Sequence, residues 1–189
     1  MSKQANPTFV MYVGPMWSSK SSRLLMELER CKYQKRNALV FKPAIDDRYS
    51  TSQIVTHGGW RHDAVTVNNA EGILAKVLEE QNNDISIIAV DEAFMINGVA
   101  DALTFLYRNG YNIIVSTLDT AYNGKPFDEV TKMLPWATSI EKCSAVCTIC
   151  SQDAHFTYKK SEDETLLEVG GHELYEPRCL RCHPFIVLT

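Results

Sequence analysis

Short apolar runs alternate with amphipathic helical patterns over residues 8–117, and this rhythm restricts the fold more than any other feature of the sequence. Four runs, TFVMYV, NALVFKP, DISIIAVD and YNIIVST, are apolar without strict alternation, which is typical of strands covered on both faces. Segments with apolar residues at helical spacing follow them, in residues 21–36, 70–80 and 98–110. The pattern predicts an α/β fold in which a parallel sheet is flanked by helices.

The rest of the chain is predicted to be organised differently. The insert at residues 44–69 contains two short β-like runs around His57-Gly58-Gly59, which predicts a hairpin. After residue 120 there follow a loop, a short helix over FDEVTKMLP, and then short strands and turns between cysteine pairs. We therefore expect two domains, residues 1–140 and residues 141–189.

The composition favours a globular protein with a small-molecule ligand. Of the 189 residues, 45% are hydrophobic, which is enough to bury a core. The net charge is −4 and Lys and Arg do not cluster, so the electrostatic footprint of a duplex-binding protein is missing and we expect no nucleic-acid partner. No apolar run approaches the roughly 18 residues of a membrane span or forms an export signal, so we expect no membrane partner and a cytoplasmic location.

The segment YVGPMWSSKSS, residues 12–22, matches a phosphate-binding loop (P-loop) placed between a strand and a helix. Gly14 precedes Ser19, Lys20 and Ser21 at the spacing of that motif. Backbone N–H groups and the helix N-terminus bind phosphate oxygens in such loops, the lysine adds a charge, and the serine reaches a magnesium ion. The prediction assigns ATP and Mg²⁺ to the following residues of this loop: Gly14, Pro15, Met16, Ser18, Ser19, Lys20, Ser21 and Ser22. The alternative is that the serines only cap the helix. Ser19 also weakens the match, because glycine at this position avoids strain.

Two further charged motifs follow strands. Asp91-Glu92 directly follows the run ISIIAV. At this position of an ATP site, one acidic residue orders magnesium, which leaves the second carboxylate available for proton transfer. Asp46, Asp47 and Arg48 follow the run NALVFKP, and the arginine could stabilise charge on a transferred phosphoryl group. The alternatives are a solvated turn for the acidic pair and a salt-bridged surface turn for the second motif.

The cysteines of the last third of the chain indicate a metal site. Cys147 and Cys150 form one C-x₂-C pair, Cys179 and Cys182 form another, and 28 residues separate the pairs. Without an export signal the thiols stay reduced, so two such pairs predict a structural zinc ion held by four thiolates. The segment between the pairs, residues 151–178, is called the lasso below, because metal at both ends could hold it over an active site.

Other candidate ligands and thiols receive ordinary roles. Three histidines near the cysteines are possible substitute ligands, and we expect them to face solvent or support a turn: His155, His172 and His183. Cys31 and Cys143 are expected to be buried thiols.

Together these motifs resemble the type II thymidine kinase family, the cytosolic, bacterial and poxviral kind. The resemblance covers nearly the whole chain, through YVGPMWSSKSS, KPAIDDRYS, AVDEAF, TLDTAYNGKPF, AVCTIC and EVGGHELYEPRCLRC. It implies transfer of the γ-phosphate of ATP to the 5'-hydroxyl of thymidine or deoxyuridine, with magnesium. It further implies a RecA-like P-loop kinase domain over residues 1–140, a zinc-binding lasso domain over residues 141–189, and a homotetramer.

The resemblance also implies roles for individual residues. Glu92 matches the general base that orients or deprotonates the 5'-hydroxyl, and Lys20 and Arg48 complete the catalytic set. Asp46 and Asp91 join the ATP and magnesium site. The nucleoside pocket is expected to comprise the side chains and lasso backbone groups of these residues: Met16, Met95, Leu118, Tyr122, Phe127, Thr157, Leu167, Glu168, Val169, Gly170, Gly171 and Tyr175.

The chain departs from the family pattern at several positions. Phe94 stands in place of the usual glutamine, and Met95 in place of an aromatic pocket wall, which suggests a pocket reshaped for a modified pyrimidine. Tyr122 adds a hydroxyl where phenylalanine is common, and Thr120-Ala121 replaces Gly-Thr. These changes, with Ser19, leave the substrate and the turnover open.

Two rival functions remain at this point. The letters VDEAF are similar to the D-E-A-D box of helicases, but those enzymes need two such domains, and this chain is too short for them. A noncatalytic nucleotide-binding or interaction protein could keep the zinc scaffold without phosphoryl transfer. Glu92 argues against that reading, and Ser19 argues for it.

Overall fold

The computed structural model describes residues 6–161, 165–166 and 168–184. A six-stranded sheet with the strand order β5-β2-β6-β7-β1-β8 forms its centre, and all of its neighbouring strands run parallel. The strands of this sheet are β1 (Phe9–Val13), β2 (Asn37–Pro43), β5 (Val65–Val67), β6 (Ile85–Val90), β7 (Asn112–Thr117) and β8 (Ser139–Lys142).

Four α-helices connect or flank the strands: α1 (Lys20–Tyr33), α2 (Ala70–Glu79), α3 (Val99–Arg108) and α4 (Asp128–Met133). Short 3₁₀ turns occupy Ala93–Met95, Leu134–Trp136 and Leu180–Cys182. The prediction of a parallel sheet flanked by helices is confirmed. None of the helices in the described part of the chain is long and apolar enough to cross a membrane.

The two faces of the sheet bury separate apolar clusters, because alternate residues of a strand point to opposite sides. On one face, Met11 and Ile113 pack with residues of α2, α3 and α4 such as Leu103. On the other face, Ile87 and neighbouring strand residues pack against the apolar stripe of α1, which includes Leu24. Cover on both faces explains why the central strands are continuously apolar.

The remaining strands form three antiparallel pairs. The pair β3 (Gln53–Val55) and β4 (Arg61–Asp63) is the predicted hairpin, with its turn at residues 56–60. The lasso and its flanks form the other two pairs: β9 (Ala145–Val146) with β10 (Asp153–Ala154), and β11 (Phe156–Lys159) with β12 (Tyr175–Arg178). The described part of this segment has a very small apolar core, made of Ala145, Cys147 and Ala154.

The carboxyl ends of the central strands define one edge of the sheet. β1 leads into the P-loop, β2 into the Asp46–Arg48 motif, and β6 directly into Asp91-Glu92. Since these strands all run parallel within one sheet, the three sequence motifs lie at the same edge, where open α/β sheets bind ligands.

Candidate active site

The P-loop turns sharply away from the end of β1. Gly14 has a positive φ of 143°, and a Cβ atom at this position would collide with the carbonyl oxygen of Cys143, which follows β8. Only glycine fits both the conformation and the space. Glycine is required here because the loop passes directly against the backbone that leaves β8.

The serines of the loop do not act as a conventional helix cap. Ser19 precedes α1 with φ 62° and ψ 22°, and its side chain makes no capping hydrogen bond. The Ser18 hydroxyl instead donates to the Pro15 carbonyl at 2.8 Å. The loop therefore folds back on itself and leaves the start of α1 open to an anion.

Lys20 is buried at the start of α1 and points back into the loop. Its Nζ donates to the Pro15 carbonyl at 2.6 Å and lies 3.4 Å from the Ser18 hydroxyl. Burial lowers the pKa of Lys20, while the charges of Glu92 and Asp91 oppose that shift. A phosphate group could replace the carbonyl as a stronger, charged partner for this ammonium.

Asp91 and the first turn of α1 are directly linked. The Ser21 hydroxyl donates to Asp91 Oδ1 at 2.9 Å. Burial raises the pKa of Asp91 to about 6, and the nearby charge of Glu92 acts in the same direction. A carboxylate and a serine hydroxyl in this arrangement are ligands that suit Mg²⁺, which prefers oxygen atoms and binds few protein groups.

Glu92 is paired with Arg48 but keeps one oxygen without a partner. Arg48 Nη2 donates to Glu92 Oε1 at 3.0 Å, and Arg48 Nε donates to Asp46 Oδ1 at 2.5 Å. Burial works against the charge of Arg48, but the bond to Asp46 and the charge of Glu92 outweigh it and raise the pKa of the guanidinium. Among the described residues, Glu92 Oε2 is buried and has no hydrogen-bond partner. Glu92 also has a positive φ of 48°.

Two cavities meet at these residues. A polar cavity is lined by Lys20, Asp46 and Asp91 together with most of the P-loop and the β3–β4 turn. A mainly apolar cavity is lined by residues that follow β6 and β7 and by the lasso. Three residues line both cavities: Met16, Arg48 and Glu92. The arrangement can hold a phosphate donor and an apolar acceptor on the two sides of one carboxylate.

The lasso is hydrogen-bonded to two loops that line the crevice. Thr157 Oγ1 accepts from the backbone N–H of Met16 at 3.1 Å, and the Gly170 carbonyl accepts from Arg48 Nη1 at 3.3 Å. Inside the lasso, the Tyr175 hydroxyl donates to the Glu168 carbonyl at 2.8 Å. These bonds place the lasso over the apolar cavity.

A buried lysine holds the two sides of the lasso together. Lys159 Nζ lies 2.7 Å from Glu168 Oε2 and donates to the Thr165 carbonyl at 3.0 Å. It also lies 5.6 Å from the centre of the Tyr122 ring, at the wall of the apolar cavity. This ion pair was not predicted from the sequence, because its two charges are nine residues apart in a segment without regular periodicity.

The four paired cysteines converge at the base of the lasso. The sulfur atoms of Cys147, Cys150, Cys179 and Cys182 all lie within 4.8 Å of one another, and those of Cys150 and Cys179 are 3.6 Å apart. Sulfur atoms around tetrahedral zinc are about 3.8 Å apart, given a Zn–S bond of about 2.3 Å. Burial opposes the thiolate form of Cys147, but backbone N–H donors outweigh it and lower the pKa of this thiol to about 6. The neighbouring thiols of Cys179 and Cys150 raise the pKa of Cys182 to about 12. Four thiolates this close need a cation, so the donor set fits a zinc ion.

Most of the predicted site residues line the two cavities. The apolar cavity is lined by eight of the residues predicted for the nucleoside pocket besides Met16: Met95, Leu118, Tyr122, Phe127, Thr157, Glu168, Gly170 and Tyr175. Among the described residues, Val169 and Gly171 do not line it, and Leu167 lies outside the described residues. Gly14 and Pro15 shape the P-loop without lining the polar cavity.

Several residues of the crevice were missed by sequence reasoning. Phe94, Thr120, Ala121 and Leu166 line the apolar cavity, and Trp17, Tyr49 and His57 line the polar one. Phe94 could have been found, because it departs from the family pattern beside the acidic pair. The prediction that Cys31 and Cys143 are buried is confirmed, but His183 was expected to face solvent or support a turn and is fully buried, with its ring beside the Thr157 carbonyl.

The chain is similar to a known protein family over most of its length. A model of a family described as thymidine kinase matches residues 8–183 of the chain. Among solved structures, the genome packaging NTPase B204 from Sulfolobus turreted icosahedral virus 2, in complex with sulfate, aligns at 16% identity and a TM-score of 0.45, covering 67% of this chain and 71% of that chain. The Legionella pneumophila ATPase DotB aligns at 15% identity and a TM-score of 0.44, covering 79% of this chain and 44% of that chain.

Proposed function

Because the chain belongs to the thymidine kinase family, which uses a nucleoside and ATP as substrates, we propose that it transfers the γ-phosphate of ATP to the 5'-hydroxyl of thymidine, deoxyuridine or a 5-modified deoxyuridine. The observation that carries this proposal is the position of Glu92 at the junction of the two cavities, with one buried oxygen free of hydrogen bonds.

Glu92 is the proposed general base. Its Oε1 is fixed by Arg48, so its Oε2 is left to accept the proton of a 5'-hydroxyl that enters from the apolar cavity. The positive φ of Glu92 supports the assignment, because strain of this kind is retained where function requires a particular direction of a side chain.

Lys20 and the P-loop backbone are proposed to hold the phosphates of ATP. On binding, the ammonium of Lys20 exchanges the Pro15 carbonyl for phosphate oxygens, and the open start of α1 faces the same anion. Asp91 and Ser21 would hold magnesium. Asp46 would hold the guanidinium of Arg48 in place through their hydrogen bond. Bound magnesium supplies positive charge that offsets the charge developing on the phosphate oxygens.

Arg48 is proposed to act in catalysis by joining three parts of the site. Its donors reach Asp46 after β2, Glu92 after β6 and the Gly170 carbonyl of the lasso. It therefore aligns the base when the lasso is in place, and its charge lies near the path of the transferred phosphoryl group.

Zinc is proposed to support the acceptor side only. The four-cysteine site lies at the base of the lasso, and a four-thiolate shell has no open position for a substrate. We also propose a cytoplasmic location, where such thiols stay reduced, and a homotetramer, which the family resemblance implies.

A substrate panel tests the proposed reaction. Purified protein is incubated with ATP, Mg²⁺ and one of thymidine, deoxyuridine, 5-substituted deoxyuridines, deoxycytidine or deoxyadenosine, and ADP release is measured with a coupled assay. We expect activity with the deoxyuridine series only. Activity with none of these nucleosides, from a folded protein that contains zinc, would support the noncatalytic homologue, which the strained Ser19 favours.

A substitution tests the role of Glu92. Glu92→Gln keeps the shape and the bond from Arg48 but cannot accept the proton, so kcat should fall by roughly 10²–10⁴-fold. The dissociation constant of ATP, measured by calorimetry, should change by less than about threefold. Glu79→Gln, on the exposed face of α2, is the matched control. A kcat for Glu92→Gln equal to that of the control would remove the assigned role.

A further inference from the structure

The tip of the lasso stacks on the P-loop. The rings of Trp17 and His172 have centroids 4.0 Å apart and planes inclined by 17°, which is a parallel stack. His57, from the turn of the β3–β4 hairpin, lies beside both rings, at 6.2 Å from Trp17 and 6.3 Å from His172. Three separate elements therefore meet at one indole ring.

Packing contacts hold the indole ring of Trp17 in place. Trp17 Nε1 is buried and has no hydrogen-bond partner among the described residues. The ring lies against the small apolar cluster that includes Cys147, and His172 covers it from the lasso. The backbone of Trp17 has a positive φ of 61°, which costs a residue with a side chain roughly 1–2 kcal/mol and is kept only when the surroundings impose it.

The histidine is itself fixed by the lasso. Lys160 Nζ donates to the His172 carbonyl at 2.5 Å, and the preceding Gly171 carbonyl accepts from the backbone N–H groups of Leu174 and Tyr175. The position of His172 therefore follows the position of the whole lasso tip, which carries the Gly170 carbonyl that meets Arg48.

Trp17 follows Met16, which is one of the three residues that line both cavities. Met16 lines the polar and the apolar cavity, and its backbone N–H is bonded to Thr157 of the lasso. A change in the lasso can thus reach the P-loop by the side chain of Trp17 and by the backbone of Met16. The side-chain route is specific to the stacked pair.

We propose that His172 is a positioning residue that couples the two substrates: through its stack on Trp17, nucleoside binding under the lasso favours the P-loop conformation that binds ATP. The inference rests on the proposed function and extends it. Because coupling is reciprocal, ATP bound at the P-loop makes the same stack more favourable and tightens nucleoside binding.

Calorimetry measures this coupling. The dissociation constant of thymidine is determined with and without adenylyl imidodiphosphate and Mg²⁺, and the ratio of the two constants is the coupling factor. We expect a factor of roughly three to ten in the parent protein, which is the range that one aromatic pair supports. His172→Ala should reduce the factor to about one, while the dissociation constant of thymidine alone changes by less than twofold.

Two further variants make the result specific. His172→Phe keeps a ring that can stack and should keep the coupling factor, and His62→Ala, which removes an exposed histidine of β4, should leave it unchanged. As an independent readout, a Trp60→Phe/Trp136→Phe protein has Trp17 as its single tryptophan. Thymidine should change the emission of Trp17 in this protein, and the change should vanish when His172→Ala is added.

The outcomes separate the inference from the proposed function. If thymidine binds but His172→Ala keeps the coupling factor of the parent, or His172→Phe loses it, the inference is overturned and the proposed function stands. If the parent protein binds thymidine with a coupling factor of one, the inference alone is overturned. If it binds neither thymidine nor deoxyuridine nor any 5-substituted deoxyuridine, the proposed function is overturned, and the inference that rests on it falls with it.

Discussion

At the scale of single residues, three side-chain-bearing residues of the crevice have strained backbone conformations. Trp17, Ser19 and Glu92 all have positive φ angles between 48° and 62°, in a region where side chains are unfavourable. All three line the polar cavity. Trp17 is explained by its packing and Glu92 by the direction of its carboxylate. The structure offers no compensating contact for Ser19, whose side chain is exposed and caps nothing.

Replacing Ser19 with glycine should therefore stabilise the protein. Ser19→Gly removes the unfavourable Cβ contacts at φ 62°, and we expect a gain of about 1 kcal/mol, or roughly 2–4 °C in Tm for a chain of this size. Thermal unfolding followed by circular dichroism measures the gain. Ser22→Gly, in the first turn of α1, is the matched control and should lower Tm, since glycine is unfavourable within a helix. A Tm of Ser19→Gly at or below that of the parent would contradict the assignment of strain.

The buried carboxylate of Asp91 should cost stability at neutral pH. Burial raises its pKa from 3.8 to about 6 in the folded protein, so the folded state holds a proton that the unfolded state has already released between these values. Stability from this group is therefore lost as pH rises from about 4 to 6, and above pH 6 the ionised group imposes its full cost. The cost is about 1–3 kcal/mol, from a shift of about two pKa units.

Asp91→Asn should remove this cost while abolishing activity. In magnesium-free buffer at pH 8 we expect the variant to be more stable than the parent by about 1–3 kcal/mol in urea unfolding. The difference should shrink as pH falls through 6 towards 5. Asp47→Asn, which changes an exposed carboxylate, should show no such trend. A stability difference for Asp91→Asn that does not change between pH 8 and pH 5 would mean that burial of the charge is not the cause.

At the scale of elements, the apolar strands and the helical stripes could be predicted because burial on both faces leaves a direct trace in the sequence. The run NALVFKP coincides with β2, and α1 and α3 start and end within a few residues of their predicted bounds. The edge strands β5 and β8 were missed. β5 has only three residues, and all four residues of β8 are exposed, so neither has the apolar run that reveals a central strand.

The residues of the candidate site also divide into those that could be predicted from the sequence and those that could not. The residues of the P-loop and of the Asp91-Glu92 pair could be predicted because each follows a strand, and parallel strands bring their carboxyl ends together. Contacts made by the lasso could not, because they depend on how a segment without periodicity lies in space. The bond from Arg48 to the Gly170 carbonyl joins residues 122 apart, and the stack of His172 on Trp17 joins residues that are still farther apart in the sequence.

The cysteine cluster should hold one zinc ion per chain and support the lasso. Its apolar core contains only three buried residues in the described part of the chain, which is too little to stabilise the segment without metal. Cys182→Ser should bring zinc, measured by elemental analysis, from about one equivalent to below about 0.2, since three ligands bind far more weakly. Cys31→Ser, on the buried face of α1, should keep its zinc. Full zinc in Cys182→Ser would exclude the four-thiolate site.

At the scale of the whole molecule, the proposed function makes the two substrates depend on different parts of the chain. The polar cavity is built by the sheet edge, the P-loop and the β3–β4 hairpin, whereas the apolar cavity takes walls from the sheet edge and from the lasso, such as Leu118 and Tyr175. Loss of the lasso should therefore remove nucleoside binding first and leave the ATP side largely assembled. Arg48, Glu92 and Met16 are the points where the two sides depend on each other.

Ligand-induced stabilisation tests this division. In the parent protein, thymidine at 100 times its dissociation constant should add about 2.7 kcal/mol, or roughly 5–10 °C in Tm, because it binds only the folded state. In Cys182→Ser the same thymidine concentration should raise Tm by less than about 1 °C. Adenylyl imidodiphosphate with Mg²⁺ is the internal control, since its site lies mainly on the sheet, and it should still raise the Tm of the variant by several degrees. A thymidine shift of the same size in both proteins would show that the sheet binds the nucleoside without the lasso, and the lasso would then be no wall of the pocket.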